Sequence, residues 1–433
     1  MGRRFMNVAF VTLGCKVNTY ETEAIWELLQ DRGYQRVDRM EDADYVVINT
    51  CMVTQVAEGK SKQMIRRAIT KNPHTQVVVM GCLSQMEKET IAQIPGVIII
   101  VGTKDREQIP DLLDLYRRDP QPLILNSSYM KQEPYDALSL QKFQIHQRAF
   151  LKIQDGCDQF CSYCIIPYTR GRVRSKPLEV VLEEADALAK MHPEIVLTGI
   201  HTGAYGRDLE HIDLTTLIRR LIEHPNMPRL RISSIEVIEI TDDLIKMLSD
   251  SNPLVPHLHI PLQSGSDSIL KRMNRPYSAA DYLKRIEEIR KRLPGIAITT
   301  DIIVGFPGET EHDFQASCTL ARLARFSEMH IFPYSKRKGT QAEHFTDEVP
   351  HDIKKRRVHE LIALNQRLAQ DYIQSKKASK LQVVVEQYRS GMLIGHSREY
   401  IHIQFPGPKE YIGREVDVDL VHEEYPLSLG RLI

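Results

Sequence analysis

Apolar runs at residues 8–13, 45–49, 76–80 and 97–101 are each followed by a stretch with helical periodicity. Short apolar runs alternating with amphipathic helices predict a parallel sheet with crossover helices, so residues 1–120 read as a doubly wound α/β domain. In the first helix Ala24, Ile25, Leu28 and Leu29 form the apolar stripe, and Gly33 stands where a C-cap belongs. Pro120, Pro122 and Pro134 with mixed polar neighbours then break the periodicity, which predicts a linker over 121–147. Strand-like runs at 149–153, 195–198, 230–233, 258–262, 297–304 and 329–334 alternate with helices. Six such units over 148–377 predict an incomplete (β/α)6 barrel, open on one side. Runs at 381–385, 400–405 and 416–421, separated by Gly and Pro, predict a small antiparallel β-barrel over 378–433.

The chain has 433 residues, 42% hydrophobic and 26% charged, the composition of an ordinary globular protein of several domains. Its 57 Lys+Arg balance 57 Asp+Glu, so no global field draws it to a polyanion and any such contact must be local. The apolar run at 5–13 is too short to span a bilayer and has no small-residue cleavage site after it. Met6 stands where a myristoylation signal needs Ser or Thr. The expectation is a cytoplasmic protein without a membrane partner, in which seven cysteines serve metal binding or catalysis rather than disulfides.

Three of those cysteines, Cys157, Cys161 and Cys164, lie in the stretch DGCDQFCSYCIIPYTRGR with spacing C-x3-C-x2-C. Thiolates select zinc, Cu(I) or iron-sulfur clusters. A closed zinc site needs a fourth ligand, and no Cys or His follows at finger spacing, whereas a cubane on three cysteines keeps one iron open. A zinc knuckle or a redox dithiol is the alternative that a C-x2-C alone allows. The spacing, with Tyr163 directly before Cys164, resembles the radical S-adenosylmethionine enzymes. The resemblance implies that the open iron chelates S-adenosylmethionine.

Cys15, Cys51 and Cys82 each stand just past a predicted strand of the first domain, in LGC, NTC and MGC. Ligands of open parallel sheets bind beyond the carboxyl ends of the strands, so these three should converge. The alternative for each is a small buried residue in a tight turn. With this domain ahead of the C-x3-C-x2-C barrel, the chain resembles the methylthiotransferase family of radical S-adenosylmethionine enzymes. That resemblance implies a second 4Fe-4S cluster on Cys15, Cys51 and Cys82, and a final RNA-binding domain of the TRAM type. The phrase TLGCKVNTYETE at 12–23 resembles the branch acting on threonylcarbamoyladenosine. It implies addition of a methylthio group to C2 of N6-threonylcarbamoyladenosine at tRNA position 37. Another tRNA adenosine, a ribosomal protein, or a non-catalytic iron-sulfur RNA-binding protein are the alternatives. The family also implies an electron donor of low potential and a sulfur donor.

Chemistry in such barrels sits at the C-terminal ends of the strands. Gly199, Ser234, Glu236 and Gln263 occupy those ends and are the expected contacts to S-adenosylmethionine, with Tyr163. His257 and His259 share a strand face without a third ligand in phase, and read as a core or rim pair. Cys318 falls in phase with Phe314 and Ala321 and reads as core. Basic residues gather beside the cysteines: Arg170, Arg172, Arg174 and Lys176 after the loop, and Lys60, Lys62, Arg66, Arg67 and Lys71 after Cys51. From these, Lys62, Arg66, Arg170, Arg172 and Arg174 are the expected grips on the phosphates of a tRNA anticodon arm. A further run at 354–357 opens the last helix of the barrel. The last domain carries six Lys/Arg against eight Asp/Glu, so any RNA contact it makes falls to single residues such as Arg389, Arg398 or Tyr400.

Overall fold

The computed structural model describes residues 6–127, 134–136, 138–144 and 146–433. Two compact units emerge, and they do not follow chain order. One takes the chain up to residue 144 together with 152–184 and 335–343; the other takes 145–151, 185–334 and 344–433.

The first unit is built on six parallel strands in the order β2-β1-β3-β4-β5-β6. They are β1 (Asn7–Thr12), β2 (Gln35–Arg36), β3 (Tyr45–Thr50), β4 (Gln76–Gly81), β5 (Val97–Val101) and β6 (Leu123–Leu125). All of β3 and β5 is buried, which is why they read as unbroken apolar runs rather than alternating ones. The four runs expected from the sequence lie within a residue of the observed strands. The two added edge strands are too short to show a period, and β6 falls where only linker was expected. Helix α1 (Lys16–Asp31) follows β1 and ends at Arg32, with Gly33 at φ 83° just beyond. Helix α2 (Gln55–Lys71) follows β3 and is capped by the Thr54 hydroxyl, which accepts from Ala57 N at 3.1 Å.

β7 (Arg148–Lys152) carries the chain from the second unit back into the first, where β8 (Gln154–Asp155) and β9 (Arg174–Ser175) form a short antiparallel ribbon. The thiolate loop is strung between them. Ala342 N, on the returning segment 335–343, donates to Ser162 O at 2.7 Å, and Arg337 pairs with Glu58. These contacts tie the loop and the returning segment into the same unit as the N-terminal sheet.

In the second unit β10 (Glu194–Thr198) and β11 (Arg229–Ile232) join β7 in one three-stranded sheet. β12 (His257–His259), β13 (Ala297–Val304) and β14 (Glu328–Pro333) form another. Single bridges, Leu230 with Leu254 and Ser234 with His259, connect the two halves into an open parallel barrel of six strands. Helices such as Leu214–Ile222 press a stripe of Leu214, Leu217, Ile218 and Leu221 onto it. Capping boxes at Ser278/Asp281 and Thr310/Asp313 start two others. Cys318 is buried on the second of these, as its spacing with Phe314 requires. The basic run at 354–357 lies in helix His351–Gln374 against acids, Arg357 on Glu309 at 2.7 Å and Arg356 on Glu311 and Glu360. Those pairs compensate for cations at a helix N-terminus.

The chain ends in a closed barrel, order β15-β16-β17-β19-β18, around Val383, Val385, Leu393, Ile403, Phe405 and Val418. Its strands are β15 (Lys380–Arg389), β16 (Met392–Ser397), β17 (His402–Pro406), β18 (Glu415–His422) and β19 (Ser428–Leu432). Tyr400 and Arg398 face the parallel barrel rather than solvent. The Tyr400 ring stacks on His257 at 4.7 Å and on His396 at 4.8 Å, under the guanidinium of Arg231, while Arg398 donates to Asn252 O. That leaves Arg389, exposed at the end of β15, as the open cation among the three residues expected to reach RNA. Among the described residues no helix is long and apolar enough to cross a membrane.

Candidate metal and cofactor centres

β1, β3 and β4 lie side by side in the sheet, and Cys15, Cys51 and Cys82 stand just past their carboxyl ends. Glycine sets two of the three. Gly14 has φ 104°, and a Cβ there would come within 2.9 Å of Cys51 Cβ and 3.1 Å of its Sγ. Gly81 has φ 103°, and a Cβ there would lie 2.6 Å from Thr50 O. Only glycine lets these turns close so tightly. Cys15 is exposed; Cys51 and Cys82 are buried. Burial pushes the Cys51 thiol up to about 11, with the neighbouring Cys82 adding to the rise. Burial also raises Cys82, against the pull of the Arg170 guanidinium beside it. Three thiols within reach of one another's charge, two of them poorly able to ionise alone, are a donor set that a thiophilic metal centre completes.

Around them lies an array of charged side chains with almost no solvent contact. Glu21, on α1, forms an ion pair with Arg106 at 2.6 Å and accepts from Arg170 at 2.8 Å and Lys152 at 2.9 Å. Asp155 accepts from Lys152 at 2.6 Å and Arg170 at 3.1 Å, with Arg174 at 3.8 Å, and Asp136 pairs with Arg106 at 3.0 Å. Arg170 also donates to Asn18 Oδ1 at 2.9 Å, and Asn18 Oδ1 lies 3.6 Å from Cys15 Sγ. Burial would raise the Glu21 carboxyl, but Arg106, Arg170 and Lys152 hold it at about 2. Arg106, Lys152, Arg170 and Arg174 face Glu21, Asp136 and Asp155, and of these cations Arg170 stands beside the Cys82 thiol. A guanidinium there suits an anionic thiolate-bound cluster.

Arg170 and Arg174 were expected on phosphates; both are buried, Arg170 completely. Their charge is committed to Glu21 and Asp155, which sequence reasoning passed over although Glu21 shares the helix face of Ala24, Ile25 and Leu28. Lys176 is buried too, on Glu184 at 2.7 Å and on the Tyr20 hydroxyl at 2.9 Å. Arg172 is exposed, 2.9 Å from Asp158. On α2, Lys62 pairs with Glu58 and Glu87, each at 2.7 Å, while Lys60, Arg66, Arg67 and Lys71 are exposed.

Cys157, Cys161 and Cys164 are partly exposed on their loop. Cys157 N donates to Gly171 O at 3.0 Å, Cys164 N to Cys161 O at 2.9 Å, and Gln159 N to Cys157 Sγ at 3.5 Å. An amide aimed at sulfur stabilises thiolate. Phe160, at φ 46°, makes the turn between the first two cysteines and packs edge-on against Tyr168 at 5.6 Å. Tyr163 is half-buried between Cys161 and Cys164.

Within the second unit, Gly199 follows β10, Ser234 follows β11 and bridges to His259, and Gln263 bridges to Ile302. Gln263 takes φ 68°, uncommon for a side chain of its kind. Glu236 is engaged by Arg275, whose guanidinium also reaches the Tyr277 hydroxyl at 2.9 Å. His259, read from sequence as lacking a third ligand, has Asp301 and His330 beside it on the next two strands.

Residues 151–321 match the family model described as the Radical SAM superfamily, and residues 7–102 that described as Uncharacterized protein family UPF0004. The chain is 44% identical to the threonylcarbamoyladenosine tRNA methylthiotransferase MtaB of Bacillus subtilis, over 98% of this chain and 96% of that one. It is 35% identical to the Thermotoga maritima protein of the same name, over 97% and 96%. It is 33% identical to the tRNA-2-methylthio-N(6)-dimethylallyladenosine synthase of Fervidobacterium nodosum, over 95% and 96%. Among solved structures, the radical S-adenosylmethionine methyltransferase TsrM from Kitasatospora setae shares the fold at TM-score 0.57 and 15% identity, over 84% of this chain and 89% of that one. An open parallel barrel whose first strand leads into a C-x3-C-x2-C loop defines the radical S-adenosylmethionine class. Within it the chain belongs to the methylthiotransferase family. The cofactors are accordingly S-adenosylmethionine and 4Fe-4S clusters.

Proposed function

We propose that this protein transfers a methylthio group to C2 of N6-threonylcarbamoyladenosine at position 37 of tRNA. The observation that carries the reading is the pair of cysteine triads in one compact unit, in a chain alike over nearly its whole length to a curated enzyme of that name. Cys157, Cys161 and Cys164 would hold the cluster that binds S-adenosylmethionine, and Cys15, Cys51 and Cys82 a second one. Bound together, cofactor and cluster supply a hydrogen-abstracting radical; the protein supplies orientation and exclusion of water.

In this reading the backbone at Gly199 and the side chains of Ser234 and Gln263 orient S-adenosylmethionine from the strand ends. Tyr163 shields the cluster loop. Glu236 contributes through its pair with Arg275, which fixes the carboxylate before a ligand arrives. The exposed cations of α2 and Arg172 grip phosphates. A low-potential electron donor and a sulfur donor complete the reaction.

Relatives that act on dimethylallyladenosine support a second reading, the same transfer to a different adenosine. Nucleoside mass analysis separates the two. Purified holoenzyme given matched tRNAs with and without the threonylcarbamoyl group should methylthiolate only the first. Equal turnover on both would overturn the substrate while keeping the reaction class.

A further inference from the structure

Strand β13 reads AITTDIIV, and the acid in its middle is the anomaly. A carboxylate in a core strand costs free energy unless it is paired. Asp301 is paired on both sides, by residues from both neighbouring strands. Its Oδ2 lies 3.3 Å from His259 Nε2 on β12, and its Oδ1 lies 3.1 Å from His330 Nδ1 on β14. The two imidazoles stack at 5.4 Å, and one ligand atom from each of the three residues falls within 4.8 Å of the others. The register accounts for the meeting: Asp301 is the partner of His330, and His259 is the partner of Thr299, two residues earlier on the same face. On the other face Ile298, Thr300, Ile302 and Val304 are buried.

We propose that His259, Asp301 and His330 bind one divalent cation of the zinc class, separate from both cysteine triads. Two imidazoles and a carboxylate are a borderline donor set that suits Zn2+, Fe2+ or Co2+. Tetrahedral bonds of about 2.0–2.1 Å place donor atoms about 3.3 Å apart. His259 lies 3.3 Å from one carboxylate oxygen and His330 3.1 Å from the other, and with one ligand atom per residue all three lie within 4.8 Å, so small side-chain rotations bring them to that separation. The outer contacts are also those of a ligating histidine. The Thr299 hydroxyl holds His259 Nδ1 at 2.9 Å, which leaves Nε2 to face the carboxylate. Thr299 is itself held by His257 at 3.1 Å. Asp301 and His330 are 28% and 47% exposed in their side chains, so the site opens to a fourth, exchangeable oxygen ligand rather than closing as a structural zinc site does.

The test uses iron-loaded holoprotein kept anaerobic, equilibrated with micromolar Zn2+ and assayed for zinc, iron and zinc X-ray absorption. One zinc per chain is expected on top of a full complement of iron, with a nitrogen/oxygen shell at about 2.0–2.1 Å and no sulfur shell near 2.3 Å. His330→Gln, at a half-exposed position, and Asp301→Asn should each weaken zinc binding at least about tenfold with iron unchanged, and Thr299→Val should weaken it by about 10–100-fold. Absence of zinc in the iron-loaded wild type would mean a histidine–aspartate–histidine hydrogen-bond clamp and overturn the site. So would a sulfur shell, or equal affinity in the variants. If Asp301→Asn does not fold, the wild-type spectrum and His330→Gln decide.

Discussion

Arg170 Nη1 donates to Glu21 Oε1 at 2.8 Å across 149 residues of sequence, and neither side chain touches solvent. Glu21 lies on the helix that starts after Cys15, and Arg170 ends the helix that follows Cys164. The backbone next to Arg170 receives Cys157 N, while its guanidinium stands beside Cys82. The side chain of Arg170 thus serves one thiolate set while the carbonyl of the next residue, Gly171, holds the loop of the other.

Removing that charge leaves Glu21 and Asp155 buried with fewer partners. Breaking a buried ion pair from one side typically costs about 3–5 kcal/mol. Arg170→Gln should therefore lower stability by about that amount in anaerobic urea unfolding, with or without tRNA present. Arg172→Gln, at an exposed pair, should cost about 0–1 kcal/mol. A result in which both variants unfold at the wild-type midpoint would contradict the array as drawn.

Iron content tests the two triads. Reconstituted protein should hold about eight irons in two cubanes, and replacing Cys157, Cys161 and Cys164 together by Ala should leave about four. The same variant should form no 5′-deoxyadenosine. Cys15→Ala should still form it while losing methylthio transfer. Zinc in place of iron after reconstitution, or transfer surviving Cys15→Ala, would remove the assignment.

The buried arginines also move the RNA prediction. Lys60, Arg66 and Arg67 on α2 and Arg172 on the loop are among the cations that stay exposed. Each one neutralised that contacts a phosphate should flatten the log–log salt dependence of tRNA binding by about 0.7–0.9. Binding measured from 50 to 200 mM salt with a triple Lys60, Arg66 and Arg67 to Gln variant reads this directly. An unchanged slope with full iron content would place the RNA contact elsewhere.

The parts of this fold legible in the sequence are those with a period. Val97 to Val101 has no polar position to misplace, and the six barrel runs alternate with helices long enough to show their stripe. Cys15, Cys51 and Cys82 stood out because each follows a strand, and Cys157, Cys161 and Cys164 because of their spacing. What stayed hidden depends on partners far along the chain. Whether Arg170 meets a phosphate or Glu21 is decided by tertiary packing, and a run of arginines looks the same in either case. Asp301 and its two histidines also stayed hidden as a group, because the three come from three different strands and show no common spacing.

His402 supplies a pH dependence in the C-terminal barrel. Burial, and then the charge of His396 stacked 4.6 Å away, hold its pKa down to about 4. Glu386 opposes the shift, and Arg148 adds to it. An unfolded histidine titrates near 6.5, so between about pH 6.5 and 4 the unfolded chain binds a proton that the folded barrel refuses. Stability from this residue is complete above about pH 6.5 and is lost as pH falls toward 4. Since the ring is only partly buried, solvent screening reduces the effect to about 1 kcal/mol. Wild type and His402→Gln, both in the same cluster state so that acid loss of iron cancels, should be compared by urea unfolding at pH 7 and 4.5. Wild type should lose about 1 kcal/mol more than the variant between those values. Parallel pH dependence in the two proteins would show that His402 takes its proton in the folded barrel as readily as in the unfolded chain.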